Sequence, residues 1–455
     1  MSSDSVQPGR AMKGLVIDGA KWTAIAFIVS QGLRFGANVV MTHLLTPAAF
    51  GLMAIVGVVL SAVALFSDIG IGPSVVRSPR SDDPVFLNTA WTMQALRGAG
   101  IFLVATVAAW PMSVLYEEPQ LAYLIPVAAI SSLLSGLWSI KFILLDRELR
   151  VREKYQIDIL SQIAGLVGTI AFALVWPSVW ALICGSLLAS TFMMILGFRL
   201  SGVRDRFRWD KEVVHSLVTF GRWIFVSTIL TFLGNQLDRL VLARYLTMEL
   251  LGVFGVAAAL ADLPERFLVT LSYKVVFPAL SRLVHLPRPE LRAKLARATW
   301  LPLLAFSALT SLMFAFGDLP VLWIYDERYS GAAWIFPILI VGTWIKALTF
   351  SSDPFLIAAG RTGYQAMANG VRLIMNVVAI PLGFIWYGVP GAVIAVATRS
   401  AAYYIAINLG LYREGVAMPG RDLLLLLITV ALTALLVFAR YALGFGTALD
   451  LMTSG

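Results

Sequence analysis

Long apolar runs recur along the whole chain of 455 residues, and they limit what it can fold into. A helix needs about 20 mostly apolar residues to cross a hydrocarbon core of about 30 Å. Inside lipid the backbone must satisfy its own hydrogen bonds, which a helix does within one segment. Charged residues make up 13% of the chain, about half of the roughly 25% usual in soluble domains. The sequence therefore predicts an all-α, polytopic helical membrane protein.

We predict about 13 transmembrane helices, within a range of 12 to 14. They lie at 22–45, 49–72, 87–112, 121–145, 157–176, 178–198, 219–244, 251–278, 299–325, 333–359, 366–386, 389–411 and 422–439. The first run is too long for a signal-peptide core, so we expect it to remain as an uncleaved helix. Thirteen spans place the C-terminus outside the cytoplasm, whereas 12 or 14 place it inside.

The basic residues of the predicted loops indicate the orientation. One side of the membrane has 22 lysines and arginines, and the opposite side has three, which are Arg244, Arg328 and Arg440. Cytoplasmic loops carry an excess of basic residues, so the N-terminus is predicted to be cytoplasmic. The same bias explains most of the net charge of +9 without nucleic acid as a partner.

A weak internal repeat organises the predicted helices. Residues 44–55, LLTPAAFGLMAI, align with residues 245–256, YLTMELLGVFGV, and the first and seventh spans correspond. Six helices separate the copies, so the repeat is parallel, with a pseudo-twofold axis along the membrane normal and a central cavity. The predicted parts are a cytoplasmic tail (1–21), an N-lobe of six helices (22–198), a basic inter-lobe loop (199–218), a C-lobe of six helices (219–411) and an additional C-terminal helix and tail (412–455).

Ten cations lie within or at the edges of the predicted spans, against six acids. A charge at mid-membrane costs about 2.5 kcal/mol or more, so such side chains should face a bundle interior or a water-filled cavity. Arginine binds phosphate through paired, charge-assisted hydrogen bonds, so the excess favours an anionic substrate. The candidate substrate-binding cations are Arg34, Arg97, Arg239, Arg266, Lys346, Arg372 and Arg399.

Four acids are candidates for ion coupling or gating: Asp238, Asp262, Glu265 and Asp353. The alternative is that the charges form internal ion pairs with a purely structural role. Asp262 and Arg266 have the i, i+4 spacing of such a pair, whereas Asp238 and Arg239 are adjacent and point about 100° apart.

Several kinds of chemistry lack their usual residues. The chain has one cysteine and three scattered histidines, so we expect no intrachain disulfide and no metal centre. It contains no glycine-rich phosphate loop and no nucleophile triad. We therefore expect no cofactor and no enzymatic activity.

Three stretches carry a family resemblance: LLTPAAFGLMAIVGVVLSAVALFSDIGIGPSVVRS (44–78), FGRWIFVSTILTFLGNQLDRLVLARYL (220–246) and LWIYDERYSGAAWIFPIL (322–339). The chain resembles the polysaccharide transporter family of Wzx-like O-antigen and exopolysaccharide flippases. These belong to the superfamily that includes MATE exporters and the lipid II flippase. The resemblance implies alternating access in the bacterial inner membrane and export of an undecaprenyl-pyrophosphate-linked oligosaccharide, driven by an ion gradient. It also implies membrane lipids and the polysaccharide polymerase machinery as partners.

Two other functions remain open from the sequence. A MATE-like, cation-coupled drug or metabolite antiporter would need membrane acids in excess, but here cations lead by ten to six. A membrane polymerase or ligase would be expected to expose a large outer loop with catalytic residues. The longest predicted interior outer loop, around residues 116–119, is too short for that.

Overall fold

We describe the chain from a computed structural model, which covers residues 8–67, 70–78, 80, 82–148, 150–200, 204–272, 276–350 and 352–446. Of these, 8–20, 66, 73, 77 and 220–235 are described by their backbone alone. These ranges contain helices and no β-strand. The helices are α1 (Pro8–Leu44), α2 (Pro47–Phe66), α3 (Ile71–Arg77), α4 (Pro84–Leu115), α5 (Leu121–Gly136), α6 (Lys141–Arg147), α7 (Val151–Val175), α8 (Val179–Phe198), α9 (Lys211–Tyr245), α10 (Met248–Leu271), α11 (Phe277–Leu283), α12 (Arg288–Phe316), α13 (Asp318–Ile324), a 3-10 helix (Glu327–Tyr329), α14 (Ala332–Ala347), α15 (Ser352–Ala358), α16 (Gly363–Arg413) and α17 (Pro419–Ala442).

The prediction of a polytopic helical membrane protein is confirmed. Within the described ranges, 9 helical segments are long and apolar enough to cross a membrane, or 10 if α5 and α6 form one span bent by 59°. α16 covers two predicted spans and is interrupted at Gly388, whose φ of 62° is left-handed. α9 and α10 overlap two more, but α10 has Asp262, Glu265 and Arg266 together, which makes it too charged for a simple apolar span.

The chain divides into two compact units. The first comprises Met1–Leu45 and Val56–Ile229, and the second comprises Thr46–Ile55 and Leu230–Gly455. In the first unit, α4 packs on α5, and α7 packs on both α8 and α1. In the second, α14 packs on α10 and α16, and α12 packs on α17. The predicted lobe boundaries, with the inter-lobe loop at 199–218, remain a prediction.

Local signals begin several helices. α2 begins at Pro47, a position where the missing N–H and fixed φ of proline suit a helix start. α10 follows Thr247, whose hydroxyl oxygen accepts the N–H of the residue three positions on. α4 follows Asp83, whose carboxylate accepts a backbone N–H and pairs with Arg80 at 2.8 Å. The Arg80 guanidinium holds the pKa of the Asp83 carboxyl below its ordinary value.

The two copies of the repeat meet at their glycines, inside the second unit. A Cβ on Gly51 would lie 2.0 Å from the Met248 carbonyl oxygen. A Cβ on Gly252 would lie 1.9 Å from the Pro47 carbonyl oxygen. In the alignment of 44–55 with 245–256, Gly51 corresponds to Gly252 and Pro47 to Met248, so the contact is reciprocal, as in a twofold interface. Only residues without a Cβ allow the backbones to approach so closely.

Two apolar clusters position the helices around the polar interior of the second unit. In one, Phe355 and Leu356 of α15 pack among residues of α11, α12 and α16. In the other, Trp344 of α14 packs with Leu268 of α10 and residues of α12 and α17. The indole N–H of Trp344 donates to the Ser307 hydroxyl at 2.9 Å, so this ring is fixed in orientation as well as buried.

Arg440, which the sequence placed in an outer loop, is buried within the second unit. Its guanidinium pairs with the Asp318 carboxylate, with an Nη2–Oδ2 distance of 2.7 Å, and also donates to the Ala315 and Gly446 carbonyls. Arg440 and Asp318 are 5% and 1% exposed. The side of the membrane on which Arg440 lies remains a prediction. Loop counting could not detect its ion-pair partner, which is 122 residues away in the chain.

Replacing Arg440 by methionine is expected to destabilise the protein by about 3–5 kcal/mol, because Asp318 would remain buried without its counter-ion. Denaturant unfolding in detergent measures the change. Arg328→Gln is the matched control, since Arg328 pairs with Asp326 at an exposed site, where a pair contributes about 1 kcal/mol or less. An Arg440→Met change no larger than the control would contradict the assignment.

Candidate functional site

A cavity of about 330 Å³ lies among α9, α10, α14 and α16 of the second unit. Its charged lining residues are Asp238, Arg239, Asp262, Glu265, Arg266, Lys346, Arg372 and Arg399. Five are cations and three are acids, so the lining carries an excess of two positive charges when all are ionised. These are five of the seven cations, and three of the four acids, that the sequence nominated.

α10 presents one polar face to this cavity. Glu265 and Arg266 follow Asp262 by three and four residues, so both lie one helical turn from it. Ala258 and Ala261 line the cavity on the same helix, and their small side chains leave space beside the charges. Asp262 and Glu265 are half-buried and Arg266 is exposed, and all three line the cavity. Charges in such a bundle are costly unless they serve a site or a partner.

Arg399 joins α9 to both halves of α16. Its Nη1 lies 2.8 Å from Asp238 Oδ2 and donates to Asn376 Oδ1 at 3.2 Å. Asp238 is 5% exposed, and Asn376 is 0% exposed. Asp238 Oδ1 and Asn376 Nδ2 are buried and have no hydrogen-bond partner among the described residues. The cluster therefore retains one buried acceptor and one buried donor that a proton, a water or a ligand could satisfy.

Lys346 of α14 pairs with Glu265 of α10 across the cavity. Asp262 is near enough to Glu265, Arg239, Lys346 and Arg266 to interact with their charges. However, the described part of the chain contains no ion pair between Asp262 and Arg266, so the i, i+4 pair that their spacing allows does not form. The acids of α10 instead face cations from several helices.

Arg239 and Arg266 differ from Arg399 and Lys346. Both line the cavity, and neither has an ion pair within 4 Å in the residues that the structure describes. Arg399 and Lys346, by contrast, are already held by acids. Two guanidinium groups are therefore available to an incoming anion without first breaking an internal pair.

A second polar chain involves α15 and α16. The Arg372 guanidinium lies 5.0 Å from the centre of the Tyr403 ring, a cation–π contact. The Tyr403 hydroxyl donates to Asp353 Oδ1 at 3.0 Å. Asp353 is absent from the cavity lining, so the structure links it to the site through Tyr403 and Arg372.

Arg34 and Arg97 belong to the first unit and lie outside this cavity. Arg34 is exposed on α1. Arg97 on α4 donates to the Ser67 hydroxyl at 3.2 Å and to the Ala64 carbonyl at 2.7 Å. A role for these two arginines in substrate binding remains a prediction.

The sequence reasoning missed Asn376 and Tyr403, because it searched the spans for charge alone. A helical signal was present: Arg372 and Asn376, and Arg399 and Tyr403, are each four residues apart and share a helix side. Uncharged polar residues one turn from an intramembrane arginine are thus worth treating as members of its site.

The fold and the cavity together define a polytopic helical membrane protein with an ionisable interior, an arrangement used by membrane transporters. The model of the polysaccharide biosynthesis protein family matches residues 40–333 of the chain. This match covers more than half of the sequence, and the chain belongs to that family. The resemblance stated from its sequence motifs is confirmed.

Two curated relatives are similar over most of the chain. The lipopolysaccharide biosynthesis protein WzxC of Escherichia coli (strain K12) is 23% identical over 380 residues, which cover 82% of this chain and 76% of the relative. The succinoglycan biosynthesis transport protein ExoT of Rhizobium meliloti (strain 1021) is 21% identical over 368 residues, which cover 80% of this chain and 73% of the relative.

Two solved structures share the fold. The lipid II flippase MurJ, in an inward closed conformation, superposes with a TM-score of 0.73 at 14% identity and covers 93% of each chain. An inward-facing multidrug resistance MATE transporter of the MOP superfamily gives 0.62 at 12% identity, covering 84% of this chain and 94% of the other. At these identities the likeness concerns the fold and leaves the substrate undetermined.

Proposed function

We propose that the protein is a flippase, and not an enzyme, that moves undecaprenyl-pyrophosphate-linked oligosaccharide units across the bacterial inner membrane for surface polysaccharide synthesis. The observation that carries the proposal is the cavity lined by five cations and three acids among the helices of the second unit. Membership of the polysaccharide biosynthesis family supports the substrate class. The transport named for the relative ExoT supports the mode of action.

The cations suit a pyrophosphate. A guanidinium offers planar, paired donors that match phosphate oxygens, and four of the five cations are arginines. Arg239 and Arg266 would bind first, because within the described part of the chain they have no ion pair to break. The lipid tail would remain in the bilayer while the oligosaccharide passes through the protein.

Bound phosphate would then compete with the carboxylates that hold Arg399 and Lys346. An anion that takes over either cation leaves the buried Asp238 or the half-buried Glu265 without its partner. A buried, unpaired carboxylate favours the protonated form, so anion binding would promote proton uptake. This exchange couples substrate to a proton gradient through Asp238 and Glu265, with Asp262 and Asp353 as further candidates, in a cycle of alternating access.

Transport by the purified protein in proteoliposomes tests the function. A lipid-linked oligosaccharide with a fluorescent sugar is placed in one leaflet, and a membrane-impermeant quencher reports how much crosses. We expect protein-dependent crossing that speeds up when an imposed pH gradient is present. No crossing above empty liposomes, with folded protein in the membrane, would contradict the proposal.

Neutralising Arg239 and Arg266 is expected to weaken binding and leave the fold intact, since no described acid has its ion pair with either arginine. A hydrogen bond to a charged group contributes about 1.5–3 kcal/mol, so we expect Arg239→Gln/Arg266→Gln to lose about tenfold or more in affinity. The affinity is measured as the thermal stabilisation of the protein by undecaprenyl pyrophosphate, compared with that by undecaprenol.

The control for this binding experiment is Arg292→Gln/Arg297→Gln, which removes two exposed charges from α12. Equal stabilisation of both double variants would rule out Arg239 and Arg266 as phosphate ligands. Tetraphenylphosphonium serves as an organic-cation probe in the same assay. Stabilisation by this cation, and none by the pyrophosphate, would favour a MATE-like antiporter.

A further inference from the structure

An extended segment of the first unit is fixed to the start of α4. This segment, residues 204–209, is called the strap here. The Arg206 N–H donates to Asn88 Oδ1 and the Arg208 N–H donates to Thr92 Oγ1, each at 2.9 Å. Asn88 and Thr92 are one turn apart on α4, and both are buried. Two backbone N–H groups of the strap, two residues apart, thus donate hydrogen bonds to side chains of α4.

Asp205 fixes the strap at a second place. Its carboxylate accepts the Ser139 hydroxyl at 2.6 Å and the Ile140 N–H at 3.2 Å. Lys141 is buried next to these residues and donates to the Leu200 carbonyl at 2.6 Å, just after α8 ends. The strap therefore lies near the start of α4 and the end of α8.

The side chains of the strap have the composition of a membrane interface. Arg204, Arg206 and Arg208 are exposed, and none has an ion pair within 4 Å among the described residues. Between and beside them, Phe207 is 70% exposed and Trp209 is 55% exposed. Exposed arginines next to exposed aromatic rings suit lipid phosphates and the headgroup boundary.

An apolar groove continues from the strap along α2 and α4. It has a volume of about 500 Å³ and is lined by Trp209 together with Val63, Met93, Leu96, Gly100, Ile101 and Val104. Ser67 and Arg97 also border it, and the Arg97 guanidinium is turned to Ser67 and the Ala64 carbonyl. Trp209 belongs to both the strap and the groove, and Arg208 precedes it in the chain, so the strap adjoins the groove.

We propose that the strap and this groove form a binding site for one anionic phospholipid of the surrounding bilayer. Arg206 and Arg208 hold the phosphate, the ring of Trp209 lies beside the glycerol region, and one acyl chain follows the groove. The charges of the strap fit an anionic headgroup, and the groove fits a hydrocarbon chain. The inference is independent of the proposed substrate.

Native mass spectrometry of the full-length protein in detergent tests the site with phosphatidylglycerol and phosphatidylcholine as probes. We expect one tightly bound phosphatidylglycerol, preferred over phosphatidylcholine. Basic residues attract the headgroup of an anionic lipid, so Arg206→Gln/Arg208→Gln should weaken this binding by about tenfold or more. Arg292→Gln/Arg297→Gln, with the same loss of charge elsewhere, should keep it.

A second variant tests the groove without touching the charges. Gly100 lines the groove, and a Cβ there meets nothing within 4 Å, so Gly100→Leu fills the groove and leaves the fold intact. We expect it to lose the bound lipid, while Gly370→Leu, which also has open space around its Cβ, retains it. Equal lipid binding by the wild type and both site variants would overturn the proposal. Tighter binding of undecaprenyl phosphate than of phosphatidylglycerol at this site would also overturn it, by assigning the site to the polyprenyl carrier.

Discussion

Arg399→Gln is expected to abolish transport and to destabilise the protein. Asp238 would lose its ion pair while staying buried, and its second oxygen already has no hydrogen-bond partner among the described residues. Breaking a buried pair on one side costs about 3–5 kcal/mol. Denaturant unfolding in detergent measures the stability, and the proteoliposome assay measures transport.

The double variant Asp238→Asn/Arg399→Gln separates the structural role of the pair from its functional role. Two neutral amides can bond to each other and to Asn376, so most of the lost stability should return. Transport should stay absent, because the variant has no guanidinium at position 399 to bind the substrate and no carboxylate at position 238 to accept a proton. Recovery of transport together with stability would show that the pair is structural only.

Gly252→Leu is expected to prevent correct packing of α2 on α10. Even a Cβ would lie 1.9 Å from the Pro47 carbonyl oxygen, and a backbone atom cannot rotate away as a side chain can. Overpacking a tight contact costs about 1–3 kcal/mol, and we expect the upper end here or more. The unfolding midpoint and the protease resistance of the purified protein report the effect.

Gly255→Leu is the matched control for that substitution. It lies on the same helix, three residues away, and a Cβ there meets nothing within 4 Å. The same substitution at Gly51 should reproduce the Gly252 effect, since the contact is reciprocal. If Gly252→Leu were as stable as Gly255→Leu, the starts of α2 and α10 would not be in close contact.

Much of the architecture could be predicted because its causes are local. Apolar runs of membrane length define helices, and proline and threonine mark where α2 and α10 begin. The repeat was detectable because Gly51 and Gly252 recur at the same place in two similar stretches. Such features need only neighbouring residues, which a single sequence displays.

The membership of the cavity was partly predictable, and the pairing within it was not. A charge in a membrane span must face something polar, so Arg239, Arg266 and Arg399 could be nominated one by one. That Arg399 meets Asp238 depends on how α9 packs beside α16, and the residues are 161 positions apart in the chain. The same limit explains Arg440, whose acid Asp318 belongs to another helix.

The reciprocal glycine contact has a consequence for how the chain is made. Pro47 and Gly51 leave the ribosome long before Met248 and Gly252, since 201 residues separate the aligned positions. Until α10 has been made, Gly51 has no helix to pack against. During this time the backbone of α2 at Gly51 lacks its packing partner. Folding of this region is thus completed only after most of the helices have been inserted, and chains interrupted before residue 252 lack the surface that closes it.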